Sequence, residues 1–128
     1  MPMFYSIVAV ATGGALGSLL RWFLGLQLNG LFPNLPLGTL MANLSAGYVI
    51  GVMIGLFERY ANCPVEWRLF VITGILGGLS TFSTFSAEVT THLMAGRTVW
   101  AIGEIAANLI GSLTLTALGL LTVNAIYR

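Results

Sequence analysis

The sequence predicts an all-α membrane protein with four transmembrane helices, and three observations predict it. Hydrophobic residues make up 57% of the chain and charged residues only 7%, whereas a soluble surface carries about a quarter charged residues. Four apolar stretches reach the roughly 20 residues that a helix needs to cross the hydrocarbon core at about 1.5 Å per residue. The links between them are short, so successive helices are antiparallel neighbours and both termini lie on one side. Residues 1–128 therefore read as a single transmembrane domain, with no room for an extramembrane one.

The stretches are residues 3–28, 37–57, 67–94 and 99–127. The first ends in Asn29-Gly30, with Pro33 and Pro36 in the loop beyond, and the second ends at Glu58-Arg59. The start of the chain lacks the positively charged segment of a cleavable signal peptide, so the first stretch reads as mature structure. Tryptophans 22, 67 and 100 fit interfacial anchors. Gly13 and Gly17, and Gly47, Gly51 and Gly55, stand at four-residue spacing, which lets helix backbones approach closely in lipid.

The charges are five Arg and four Glu, net +1, too balanced to form a basic field for nucleic acid. With both termini cytoplasmic, the inner side holds Arg59, Arg68 and Arg128. The outer side holds Arg97, joined by Arg21 if that residue snorkels outward. Orientation follows such counts, and here the bias is slight. The expectation is insertion in both orientations, with opposite copies pairing as an antiparallel, dual-topology homodimer. Labelling one terminus and finding it on a single side of the membrane would end that hypothesis.

The third stretch is interrupted by Gly77-Gly78-Leu79-Ser80-Thr81-Phe82-Ser83-Thr84-Phe85-Ser86-Ala87-Glu88. Paired glycines stop a helix and Ser or Thr starts one, so this span reads as two half-helices meeting near the bilayer centre. Backbone groups freed there cost several kcal/mol each if left unpaired in lipid. A break of this kind persists where it is buried in protein, lines water or holds an ion. The plainer reading, a kinked packing helix, leaves the five hydroxyl residues unexplained. Phe82 and Phe85 share one face of the second half-helix. Their positive ring edges, beside hydroxyl and amide donors, suit a small anion, although such a pair is more often simple core.

On the fourth helix Glu104, Asn108, Ser112 and Thr116 recur every four residues and form one polar stripe. They serve either interhelical hydrogen bonding or a permeant ion. Asn43 offers two N–H donors and one acceptor. Arg21 either snorkels to an interface or stands at a vestibule that attracts anions. Glu88 falls inside the third span, where an ionisable residue is functional by default, and His92 reads as interfacial. The single cysteine, Cys63, excludes an internal disulfide. There is no metal-ligand cluster, phosphate loop or paired nucleophile and base, so an enzyme is not expected.

The Gly77–Glu88 run resembles the signature of the Fluc (CrcB-like) bacterial fluoride channels. Gly13-Gly14-Ala15-Leu16-Gly17 with Arg21-Trp22, Pro36-Leu37-Gly38-Thr39-Leu40 with Asn43, and Asn108-Leu109-Ile110-Gly111-Ser112 extend the resemblance over all four helices. It implies an antiparallel homodimer in the bacterial inner (cytoplasmic) membrane, with two pores that export fluoride passively and selectively. It also implies a central sodium ion held by main-chain carbonyls, which fall on Gly77 and Ser80. The family's pore phenylalanines fall on Phe82 and Phe85, its pore asparagine on Asn43, and its polar track on Asn108, Ser112 and Thr116. Glu88 matches the acidic residue near the pore. Glu104 heads the track, where a fixed negative charge beside an anion path must be protonated, paired with an arginine, or turned away. The alternative is a small multidrug-resistance-type proton-coupled exporter. That class needs a carboxylate in the first helix, and here that helix holds Arg21 and no acid.

Overall fold

All four apolar stretches are helical in the computed structural model, which describes residues 3–32 and 34–127. Pro33 and Arg128, used above for the first loop and the inner-side charge, lie outside the described residues. The helices are α1 (Met3–Leu28), α2 (Leu37–Arg59), α3 (residues 65–79), α4 (Ser83–Met94) and α5 (Thr98–Ile126). The spans are long and apolar enough to cross a membrane, with α3 and α4 together making the third. This is a multi-pass membrane protein.

Local chemistry sets the boundaries. Asn29, just past α1, turns its Oδ1 back to accept the N–H of Gly38 at 2.7 Å. That satisfies one of the donors left free in the first turn of a helix and ties the end of α1 to the start of α2. Between α4 and α5 the chain reverses through Gly96, at φ 78°, and the Arg97 N–H returns to the carbonyl of His92 at 2.8 Å. A residue in the left-handed region is needed there, and glycine adopts it without strain.

Two glycine-lined seams hold the helices together. In one, α1 lies on α3 so closely that a Cβ on Gly74 would meet the Cα of Gly13 at 2.8 Å. In the other, a Cβ on Gly47 would meet the Ser112 carbonyl of α5 at 2.9 Å. Apolar side chains gain little from leaving lipid for protein, so close backbone packing and hydrogen bonds must supply the attraction.

The break in the third span lies three residues later than the paired glycines indicate. Gly77 and Gly78 are helical, as the last turn of α3. Gly78 is small because a Cβ there would meet the Gly14 carbonyl of α1 at 2.7 Å, which is a packing reason rather than a stop signal. The helix opens at Ser80, where ψ is 150°, and resumes at Ser83. Upstream, Leu69–Leu76 is wound as a π-helix. Its wider turn is a form that recurs at functional sites and leaves no mark on the apolar periodicity.

Candidate functional site

The backbone freed at the break is paired by side chains from other helices. The Thr81 N–H donates to Asn43 Oδ1 at 2.9 Å, and Asn43 Nδ2 donates to the Thr81 carbonyl at 3.3 Å. Arg21 Nε donates to the Gly78 carbonyl at 3.1 Å. Thr81 Oγ1 accepts the N–H of Thr84 at 3.1 Å and so caps α4. These bonds make the interruption a built feature. Among the described residues, the carbonyls of Gly77 and Ser80 have no N–H partner.

Beside the break lies a cleft of about 330 Å³ between α2, α4 and α5. Asn43, Phe82, Phe85, Asn108, Ser112 and Thr116 all line it, with Ser80 and Thr81 at the break itself. The two rings meet edge to face, with centroids 5.7 Å apart and planes at 63°, so a ring edge is available beside polar groups. Phe82 is 78% exposed, and the cleft is therefore open on that side of the single chain. A larger hollow of about 470 Å³ near Tyr5, Pro64 and Trp67 gathers no comparable set of donors.

Hydrogen-bond accounting separates scaffold from free donors. Asn43 also gives Nδ2 to Asn108 Oδ1 at 2.9 Å, so its amide is committed to holding α2, α5 and the break together. Thr116 Oγ1 lies 2.9 Å from the carbonyls of Gly47 and Ser112 and donates within the seam. The Ser112 hydroxyl makes no hydrogen bond among the described residues, and the Thr81 hydroxyl only accepts one. Asn108 gives one N–H to the Glu104 carbonyl at 3.0 Å and retains the other. These three groups are the donors that can turn to a ligand in the cleft.

Arg21 and Glu88 stand outside the cleft. Arg21, whose Nε is held by the Gly78 carbonyl, lines a separate cavity of about 300 Å³ with Thr39 and Thr84. Glu88 Oε2 accepts the Thr39 hydroxyl at 2.7 Å, one helical turn beyond Asn43. His92, in the last turn of α4, is buried within the protein, at 5% exposure. Its Nε2 lies 3.5 Å from Glu104 Oε1, and Glu104 itself is fully buried. Of the three options for Glu104, the arginine is reached only through His92. The signal for His92 was present in the sequence, since Thr84, Glu88 and His92 repeat every four residues and continue the α4 face. Thr39 and Thr81 carry no such periodic mark.

Fold and cleft together define a class: a small, multi-pass helical membrane protein whose polar groups converge on an interrupted helix. Residues 8–120 match the family model described as CrcB-like protein, Camphor Resistance (CrcB). The chain is 60% identical over 126 residues to the fluoride-specific ion channel FluC of Paraburkholderia phymatum, covering 98% of this chain and 100% of that one. It is 55% identical over 126 residues to the protein of the same name from Tolumonas auensis, covering 98% and 99%. The corresponding protein of Burkholderia ambifaria is 59% identical over 123 residues, 96% of each chain. The chain belongs to the CrcB-like family.

Proposed function

We propose that this protein is a passive, fluoride-selective channel that lets fluoride leave the bacterial cytoplasm across the inner membrane. The observation that carries the reading is the cleft, where phenyl edges and uncommitted hydroxyl and amide donors converge beside a helix break. Fluoride is small, strongly hydrated and a strong acceptor. A pore that admits it must replace its water with close donors, yet hold it loosely enough to release it. Ser112, Thr81 and Asn108 supply donors, Phe82 and Phe85 supply positive ring edges, and Asn43 keeps the frame. Arg21 attracts anions to the neighbouring vestibule. The names of the relatives support the choice of ion.

In this reading the open side of the cleft is closed by a second copy in the opposite orientation. The exposure of Phe82 and the weak charge bias of the loops support that arrangement. The unpaired carbonyls of Gly77 and Ser80 are hard oxygen ligands suited to a sodium ion. Two oxygens are too few for such a cation, and an antiparallel partner supplies a second pair. The ion then neutralises main-chain dipoles at the break and joins the two subunits.

The test is fluoride efflux from liposomes containing the purified protein, read with a fluoride electrode. Rapid efflux, with lower thermal stability when a bulky organic cation replaces sodium, is the expected result. Vesicles that hold their fluoride sink the channel reading, and indifference to sodium sinks the cation site alone.

A further inference from the structure

One turn beyond Asn43 and Asn108, three buried carboxylate oxygens have no hydrogen-bond partner: Glu104 Oε1, Glu104 Oε2 and Glu88 Oε1. Buried oxygens of this kind are rarely left unpaired, because the cost is high. Thr39 and Glu104 each stand one turn before the bonded pair Asn43 and Asn108, and Thr39 holds Glu88, so the two carboxyls lie in one buried layer, where two like charges do not both ionise. Glu104, at 0% exposure, is aimed into this cluster from α5, while Glu88 and His92 come from α4 and Thr39 from α2.

The hydrogens of the cluster can be assigned from its geometry. Arg97 Nε donates to His92 Nδ1 at 3.0 Å. Arginine is always protonated, so Nδ1 is the bare nitrogen and the imidazole is neutral with its hydrogen on Nε2. Nε2 lies 3.5 Å from Glu104 Oε1, near it but not hydrogen-bonded to it. Thr39 gives its hydroxyl hydrogen to Glu88 Oε2. One added proton held between the two carboxyls would give Glu88 Oε1 and one Glu104 oxygen a partner and remove one of two buried charges. Arg21 lines the adjoining cavity with Thr39 but gives its Nε to Gly78, so it supplies no proton here. Among the described residues no three such side chains converge closely enough for a metal.

We propose that Glu104 and Glu88 bind one proton between them at the head of the polar stripe, and that its loss as pH rises opposes fluoride entry. The flux half of this proposal rests on the channel reading; the proton site does not. Protonated, the pair carries one negative charge, offset by Arg97 through His92. Deprotonated, it carries two. Ser112 lies eight residues along α5 from Glu104, about 12 Å at a rise of about 1.5 Å per residue. One added charge at that distance lowers anion occupancy about tenfold at an effective dielectric of about 20.

The experiment uses the full chain in liposomes with equal pH inside and out, stepped from acid to alkaline. Protein-free vesicles at each pH subtract the leak of hydrogen fluoride. Fluoride efflux is expected to fall about tenfold as pH rises. Glu104→Gln, whose amide reproduces the donor and acceptor of the protonated acid, should hold the acid-limb rate at every pH. In parallel, the infrared carbonyl band of a protonated carboxylic acid should persist in the wild type above the pH at which an ordinary glutamate ionises, vanish at still higher pH, and be absent above that pH from Glu104→Gln. A wild type with no such band above that pH overturns the proton site without requiring any variant to fold. A titrating band with pH-independent flux, or a Glu104→Gln variant that keeps the wild-type pH profile, overturns the coupling. A titrating band with no fluoride flux at any pH supports the proton site and sinks the channel reading.

Discussion

Asn43 on α2 and Asn108 on α5 are joined side chain to side chain at 2.9 Å, beside a break that the same Asn43 amide pairs in both directions. This one residue fastens two helices and an unwound segment. Asn43→Ala would leave Thr81 N–H, Thr81 O and Asn108 Oδ1 without partners. Buried unpaired groups cost about 1–3 kcal/mol each, but the cleft is open and water can relieve part of that. A loss of about 2 kcal/mol in unfolding free energy in mixed micelles is expected, together with loss of fluoride flux. Unchanged stability would show that the clamp is not structural.

The phenylalanines are expected to act on permeation and not on folding. Phe82 is largely exposed and Phe85 is half-buried, so Phe82→Ile and Phe85→Ile remove a ring edge at little cost in burial. Each should lower fluoride efflux at least about tenfold, the factor given by about 1.4 kcal/mol, while the protein elutes from a sizing column as before. Wild-type efflux in both variants would remove the rings from the pathway.

Two glycines make a matched pair. At Gly74 an added Cβ runs into the backbone of α1, whereas at Gly103 it meets nothing within 4 Å. Backbone cannot move aside as a flexible side chain does, so Gly74→Ala should destabilise by about 1–3 kcal/mol. Gly103→Ala should be neutral or slightly stabilising, since alanine is the better helix former. Thermal unfolding of both variants side by side checks the seam, and equal midpoints would contradict it.

Much of this architecture was legible because lipid leaves few alternatives. The four apolar runs could only be helices, and the short links could only make them neighbours. The polar stripe from Asn108 to Thr116 and the Phe82–Phe85 pair were legible through spacing, and the structure brings them to one cleft. The position of the break was not. Gly77-Gly78 reads as a stop in sequence, but Gly78 answers to α1 packing, a tertiary demand with no local signature. Nor does a place near a helix end show that His92 is buried in the protein, where Arg97 bonds it and the α5 carboxylate reaches it. Nor could spacing show that Asn43 spends its donors on the frame. That depends on which carbonyls the break exposes.

The central claim is that donors and ring edges in this cleft select a small, strongly hydrated halide. It is tested most directly by loading matched proteoliposomes with fluoride or chloride and recording both effluxes under the same driving force. Fluoride is expected to empty rapidly while chloride stays at the level of protein-free vesicles. Comparable release of both ions would contradict it.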